Sequence, residues 1–341
     1  MASTILDVAK LSGYSKSTVS RTFLSPENVP EQTRKKVLEA ARVLNYTPNA
    51  IARAMVRKKT DNVAFIISAG QYPASLNPFY SPLLEGVLQT MRRHGYSLLV
   101  LSDSDLQDAA GDFVLKKQMD GVIIAGHIDL HFILELKSQE IPTVLVNYTA
   151  PSDDICYVSA DHYGGAVQAM EHLIGCGHQK IGLMAGRFSP QIYADRYQAY
   201  TDTLKKHHIP LDYRYIQTID AKVEDAKHCV EIMLGLPDPP TALFCTNDTI
   251  AVGAIKAANA LHKKVPDDLA IAGFDDSPIC SMMEPEITSV HIDTFSMGEI
   301  SANMLVALIE KKELPIRSQC VPAQLVVRKT TALRAFHDSS C

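Results

Sequence analysis

The sequence predicts an α/β chain: two doubly wound parallel-sheet subdomains behind an N-terminal all-α helix-turn-helix domain. Three observations carry that expectation. From Asn62 onward, short apolar β-branched runs alternate with amphipathic segments, the pattern of parallel strands covered by helices on both faces. Residues 4–21, TILDVAKLSGYSKSTVSR, read instead as two short helices joined by a tight turn. The charge divides near the same place. Residues 1–60 hold 11 Lys and Arg against 4 Asp and Glu, and the rest hold 22 against 34, inside a net charge of −5. A small basic head on a large acidic body suits phosphate binding at one end only.

In the head, Thr4 followed by Asp7 is a capping-box start. Ile5, Val8, Ala9 and Val19 give the two helices apolar stripes, and Gly13 falls where the turn needs a positive φ. Ser15 can cap the second helix, so Lys16, Ser17 and Ser20 point outward from its first turns, with Arg21 beyond. A recognition helix presents itself to a DNA major groove in this way. A bundle with a merely solvated basic face is the weaker alternative. PENVP (26–30) is a loop, with Pro30 placed to start a third helix bearing Val37, Leu38, Ala41 and Leu44 at helical spacing. Thr33, Arg34, Lys35 and Lys36 crowd its first turns, within reach of backbone phosphates.

TPNAIARAMVRKKT (47–60) has Pro48 at a first helical position and about two turns of helix to follow, too short to stand alone in water. Such a piece can order on binding. With Arg53, Arg57, Lys58 and Lys59 around Ile51 and Met55, it can enter a minor groove and wedge a base step. A plain basic linker remains the alternative.

In the body, strands are expected at 62–68, 96–102, 121–126, 142–148, 180–186, 241–247 and 269–276. Helices are expected near 81–94, 107–118, 130–139, 162–176, 195–207, 222–235, 248–262 and 294–311. That order gives two halves, roughly 62–160 and 161–290, with crossings near 160, 290 and 320. In such sheets ligands bind beyond the carboxyl ends of the strands. The residues there are Asn77, Phe79, Tyr80, Asp161, His162, Arg187, Arg196, Asn247, Asp248, Asp275 and Asp276. Aromatic rings with Arg, Asn and Asp suit a polyhydroxylated ligand. Each also has a plainer reading: Asp161 and Asp248 as helix N-caps, Asn247 as a strand-end turn residue, His162 as a packed or exposed ring.

Catalysis and cofactors are not expected. No GxGxxG follows a strand, and there is no GxxxxGK[ST], GxSxG or HExxH. Asp275 and Asp276 are adjacent at a strand end, where side chains diverge. The seven cysteines are scattered without a CxxC pair, which suits reduced thiols better than a metal site. No run approaches a membrane span or an apolar leader, so neither a membrane partner nor export is expected.

The chain resembles the lactose-repressor/galactose-repressor (LacI/GalR) family of bacterial transcription regulators over nearly its whole length. The resemblance rests on TILDVAKLSG…STVSR (4–21), LNYTPNAIARAM (44–55), DGVIIAG (120–126), HLIGCGHQKIGLMAG (172–186), NDTIAVGAIKA (247–257) and VPDDLAIAGFDD (265–276). It implies a DNA-binding domain over 1–46, a hinge helix over 47–60 and a periplasmic-binding-protein-like core over 61–341. The core would divide into about 61–160 plus a crossover near 290–320, and about 161–290 plus 320–330. It implies a cytoplasmic homodimer on a pseudo-palindromic operator, repressing carbohydrate-utilisation genes under a sugar, sugar acid or sugar phosphate. By position, Lys16, Ser17 and Arg21 would read bases, and Thr4, Ser20, Thr33 and Asn49 would hold phosphates. Ala52 and Met55 would sit in the minor groove. Phe79, Tyr80, Asp161, Arg196, Asn247 and Asp275 would bind the effector. Ser12 and Tyr14 depart from the family's small Ala and Val around the turn. Met55 replaces the usual wedging leucine with a softer chain of similar volume. The short polar tail after Arg328 lacks tetramerising heptads, so a dimer is expected. A sugar-binding protein or a sugar-metabolising enzyme on the same core is the alternative that the basic head and the absent catalytic constellation argue against.

Overall fold

The structure is a computed structural model that describes residues 3–46, 59–68, 78–102, 105–106, 119–126, 128–148, 152, 154–186, 190–220 and 222–331. The chain divides into two compact units, a head (1–62 with 117–120) and a body (63–116 with 121–341).

Three helices build the head: α1 (Ile5–Ser12), α2 (Lys16–Leu24) and α3 (Glu31–Val43). The capping box forms, with Thr4 N donating to Asp7 Oδ2 at 2.8 Å and Asp7 N to Thr4 Oγ1 at 3.4 Å. Gly13 ends α1 with φ 74° and donates its N–H to Ala9 O at 3.0 Å, the left-handed cap that glycine adopts most easily. Ser15 caps α2 by accepting from Thr18 N at 3.1 Å. Val8, Val19, Val37, Ala40 and Ala41 form the core, and Tyr14, bulky for its turn, packs at its edge. Leu38 departs from expectation: it is 45% exposed, and Ala40 takes the inward place. The 3.6-residue period turns α3 so that 37, 40, 41 and 44 share the buried stripe.

The body contains two six-stranded sheets among the described residues, so the predicted fold class is the one observed. The first sheet orders β11 (Ser318–Val321), β5 (Cys156–Ala160), β4 (Thr143–Val146), β3 (Gly121–Ala125), β1 (Asn62–Ile67) and β2 (Ser97–Ser102). The second orders β12 (Ala323–Val326), β10 (Thr288–Ile292), β9 (Ala270–Asp275), β8 (Ala242–Cys245), β6 (Ile181–Gly186) and β7 (Ile216–Ile219). Central strands pair in parallel, as in Val63 with Gly121 and Ala242 with Ala270, while β12 runs antiparallel to β10. Phe65, Ile66, Ile123, Ile124 and Leu145 are wholly buried, which is why these strands read as unbroken apolar runs.

The described helices of the body are α4 (Tyr80–Arg93), α5 (Leu130–Ser138), α6 (His162–Gly175), α7 (Pro190–Lys206), α8 (Val223–Leu234), α9 (Asp248–Ala260), the short α10 (Ile279–Met282) and α11 (Thr294–Ile309). The helix expected near 107–118 lies outside the described residues. The chain passes from the first sheet to the second after β5, returns after β10 through α11, and crosses again at Pro322 between β11 and β12. Strands β5, β7, β10, β11 and β12 were not expected from the sequence. Four of them are short or alternate in burial, and β7, β11 and β12 lie at sheet edges.

Candidate functional site

In the head, α2 turns Val19 and Thr22 into the core, so its other face carries Lys16, Ser17, Ser20 and Arg21. Lys16, Ser17 and Arg21 are exposed and Ser20 is half-buried. Lys16 and Arg21 make no ion pair among the described residues, so their charge faces solvent. Thr4 is exposed, yet its hydroxyl is committed to Asp7 at 2.7 Å. Thr33 is half-buried in the first turn of α3, where Lys35 pairs with Glu31 at 2.9 Å and Arg34 Nη1 donates to Pro26 O at 3.4 Å. These helix N-termini add partial positive charge to the basic side chains. Asn49, Ala52 and Met55 lie outside the described residues, as do Asn77 and Arg187.

In the body, residues at the ends of β9, β8 and β4 meet around one buried guanidinium. Arg196 on α7 lies with Cζ 3.7 Å from the centroid of Phe274. Its Nη1 donates to Thr246 O, and Nη2 donates to Asp275 Oδ1 at 3.3 Å and to His162 Nδ1 at 3.1 Å. His162 Nε2 in turn meets Asn147 Oδ1 at 2.8 Å. Burial, and then the neighbouring guanidinium, hold the His162 imidazole well below its ordinary value, so the ring is neutral. Burial raises the Asp275 carboxyl to about 7, with Arg196 pulling down and Asp248 pushing up. Asp275 also adopts φ 98°, a left-handed backbone uncommon for a side-chain-bearing residue; such conformations gather at functional sites.

The structure brings Arg196 and Asp275 into direct contact. Asn247 adjoins Thr246, but its Oδ1 caps α9 by accepting from Ile250 N at 2.9 Å. That corrects two expectations: Asn247 is the N-cap, and Asp248 is not. Asp248 is buried instead, accepting from Ser277 N at 2.7 Å, Ser277 Oγ at 2.8 Å and Ser289 Oγ at 2.6 Å. Burial raises its carboxyl, and those hydrogen bonds oppose the rise. Asp161 caps α6 by accepting from Gly164 N at 2.8 Å. Phe79 and Tyr80 open α4 in the first half, both buried, with rings 5.3 Å apart edge to face and Tyr80 OH donating to Ser68 O at 3.3 Å.

Asp276 turns away from Asp275 and accepts from Arg328 Nη1 at 2.6 Å, with His291 Nδ1 3.2 Å from its other oxygen. The adjacent carboxylates therefore share no reaction centre. Among the described residues no cluster of His, Cys, Asp or Glu could hold a metal ion, and no helix is long and apolar enough to cross a membrane. Asn147 was not among the residues expected at the site. The signal available was an amide closing the apolar run PTVLV.

Residues 4–49 match the bacterial regulatory proteins of the lacI family, and residues 170–331 match the periplasmic binding protein-like domain. The probable HTH-type transcriptional repressor ExuR of Bacillus subtilis (strain 168) is 31% identical over 327 residues, covering 95% of this chain and 97% of that protein. The chain belongs to the LacI family. Its expected role as a DNA-binding transcriptional repressor, and not an enzyme, agrees with its relatives. The catabolite control protein A of Priestia megaterium is also 31% identical, over 96% of this chain and 99% of that protein. Among solved structures, the lac repressor dimer bound to operator and the anti-inducer ONPF aligns with TM-score 0.83 at 25% identity, covering 97% of this chain and 99% of that one. The transcriptional regulator CelR–cellobiose complex aligns at 0.74 and 27%, covering 96% of this chain and all of that one.

Proposed function

We propose that this LacI-family protein acts in the cytoplasm as a homodimer that represses carbohydrate-utilisation genes and answers to a sugar, sugar acid or sugar phosphate. In this reading residues 1–46 bind DNA, 47–60 form the hinge and 61–341 form the effector-binding and dimerisation core. Each head takes one half-site of a pseudo-palindromic operator. Lys16, Ser17 and Arg21 meet base edges, Thr4, Ser20, Thr33 and Asn49 hold phosphates, and Ala52 and Met55 enter the minor groove. The effector lies between the halves of the core against Asp275, Arg196 and Asn247, with Phe79, Tyr80 and Asp161 on its other sides.

One observation carries the effector assignment: Arg196, laid on Phe274 and paired with Asp275, sits at the carboxyl end of β9. A carboxylate there accepts from vicinal hydroxyls, and the unused Asn247 amide N–H groups donate to them. The cellobiose and ONPF bound by the structural relatives support the sugar class.

The test is a gel shift of the full chain on a palindromic operator library, with and without sugars, sugar acids and sugar phosphates. Operator binding that one of these compounds alters supports the reading. Indifference to every duplex at low salt overturns it. Arg21→Ala is expected to weaken operator binding by about 1–3 kcal/mol while sparing random duplex. Equal losses on both would reassign Arg21 to phosphate contact.

A further inference from the structure

Three buried side chains and the partly buried Asp275 form one continuous hydrogen-bonded chain across the boundary between the halves of the body. Asn147 stands just past β4 in the first half with φ 58°, its N–H donating to Val158 O at 2.8 Å. His162, Arg196 and Asp275 belong to α6, α7 and β9 of the second half. Donor and acceptor inventory fixes where the protons lie. Arginine only donates, so His162 Nδ1 must accept from Arg196 Nη2 at 3.1 Å. A neutral ring then carries its proton on Nε2 and donates it to Asn147 Oδ1 at 2.8 Å. Asn147 is thereby held with its oxygen toward the ring. A protonated His162 would press an N–H against the guanidinium, and burial adds to that penalty.

The direction of the guanidinium has several determinants. Thr246 O holds Nη1, the Phe274 ring supports the flat face, and Nη2 is shared between Asp275 and His162. Without His162, Nη2 keeps Asp275 as its one partner among the described residues, and nothing in this chain of bonds connects it to the first half. We propose that His162 is a positioning residue for effector recognition: a neutral ring bound to Asn147, it aims the Arg196 guanidinium beside Asp275 and ties that aim to the opposite half. The inference rests on the reading that Arg196 and Asp275 contact the effector. His162 itself need not touch the ligand. It makes the donor geometry offered to a ligand depend on how the two halves are set.

The first test needs no ligand. In the full chain labelled with 15N-histidine, the His162 ring is identified by its loss in His162→Gln. It is expected to show a protonated Nε2 and a bare Nδ1, without titrating across the usual imidazole range around pH 6.5. A proton on Nδ1, or titration in that range, overturns the proposal. The second test uses cellobiose, ribose, glucuronate and glucose 6-phosphate as probes of operator release. With any probe that acts, His162→Leu is expected to raise the concentration for half release by roughly tenfold or more, the loss typical of a buried hydrogen bond to a charged group. Asn147→Leu shifts it in the same direction. His162→Gln recovers most of the loss, because its amide can accept from Arg196 and donate to Asn147. An unchanged response in His162→Leu, or no recovery in His162→Gln, overturns the positioning role. If Asp275→Asn abolishes the response in that case, the effector site itself stands. If no probe acts on the parent protein, or Asp275→Asn responds in full, the effector reading has failed and the proposal with it.

Discussion

At Asp275, burial and charge pull against each other. Burial lifts its carboxyl to about 7, Arg196 at 3.3 Å opposes the lift, and the buried Asp248 adds to it. A folded value raised above the ordinary 3.8 means that the effector-free protein favours the protonated form only below about pH 7. The stability this contributes is present in full below the ordinary carboxylate value and is lost as pH rises through about 7. An effector whose hydroxyls donate to Asp275 favours the ionised form instead. Effector affinity is therefore expected to rise between about pH 6 and pH 8, with proton release on binding at the lower end. Calorimetric titrations in two buffers of different ionisation enthalpy measure that release, and Asp275→Asn should flatten the profile. A parent protein with pH-independent affinity would remove Asp275 from the contacts. Asp275 was legible in the sequence because it closes the apolar run LAIAGFDD, where α/β sheets present ligands. Asn247 and Asp248 were not separable, since either can cap a helix. Ser277 and Ser289, distant in sequence, decide between them. His162 read as a solitary ring because its partners stand 15 and 34 residues away.

Among the elements, α4 and α11 approach until their backbones touch. A Cβ on Gly86 would lie 2.3 Å from Phe295 O, and one on Gly298 would lie 2.2 Å from Leu83 O. Arg93 and Glu299 pair across the same helices at 2.7 Å. The helix that returns the chain to the first half is thus seated against α4 through two glycines. Alanine has the better helix propensity by about 1 kcal/mol, yet here it collides with main chain that cannot turn aside. Gly298→Ala is expected to destabilise by about 1–3 kcal/mol net, read as a lower melting temperature. Gly175, exposed at the end of α6 with open space around it, supplies the control. Gly175→Ala should be neutral or raise stability by up to about 1 kcal/mol. Equal effects of the two changes would show that the α4–α11 contact can relax. This contact was hidden in the sequence, because nothing local says which helices cross. Central strands such as NVAFII and GVIIA were plain, being apolar on both faces. Edge strands such as IQTI and SQCV were missed because one side of each lacks a neighbour, so selection for apolar residues is weak.

For the whole molecule, the charge division was readable from composition alone, because the basic residues cluster before residue 60 while acidic ones prevail after it. The proposed dimer was readable only by resemblance, since a contact between copies leaves no periodic signature in one chain. The fold offers one place for it. Among the described residues strand β2 is the outermost strand of the first sheet, with Leu99 36% and Val100 47% exposed. An apolar edge strand left in water invites pairing, and a two-fold contact there would present the same edge from both copies. Val100→Asp places a charge in that contact and no cavity in the core. It is expected to convert a dimer to monomers, read by sedimentation equilibrium of the full chain. Binding to one half-site should remain near the parent value, because no residue of the recognition face changes. Binding to the full palindrome should fall by about a hundredfold or more, since the second head loses its effective concentration. A variant that still sediments as a dimer would move the contact away from β2. A monomer that held the palindrome as tightly as the parent would mean that two heads do not share one operator.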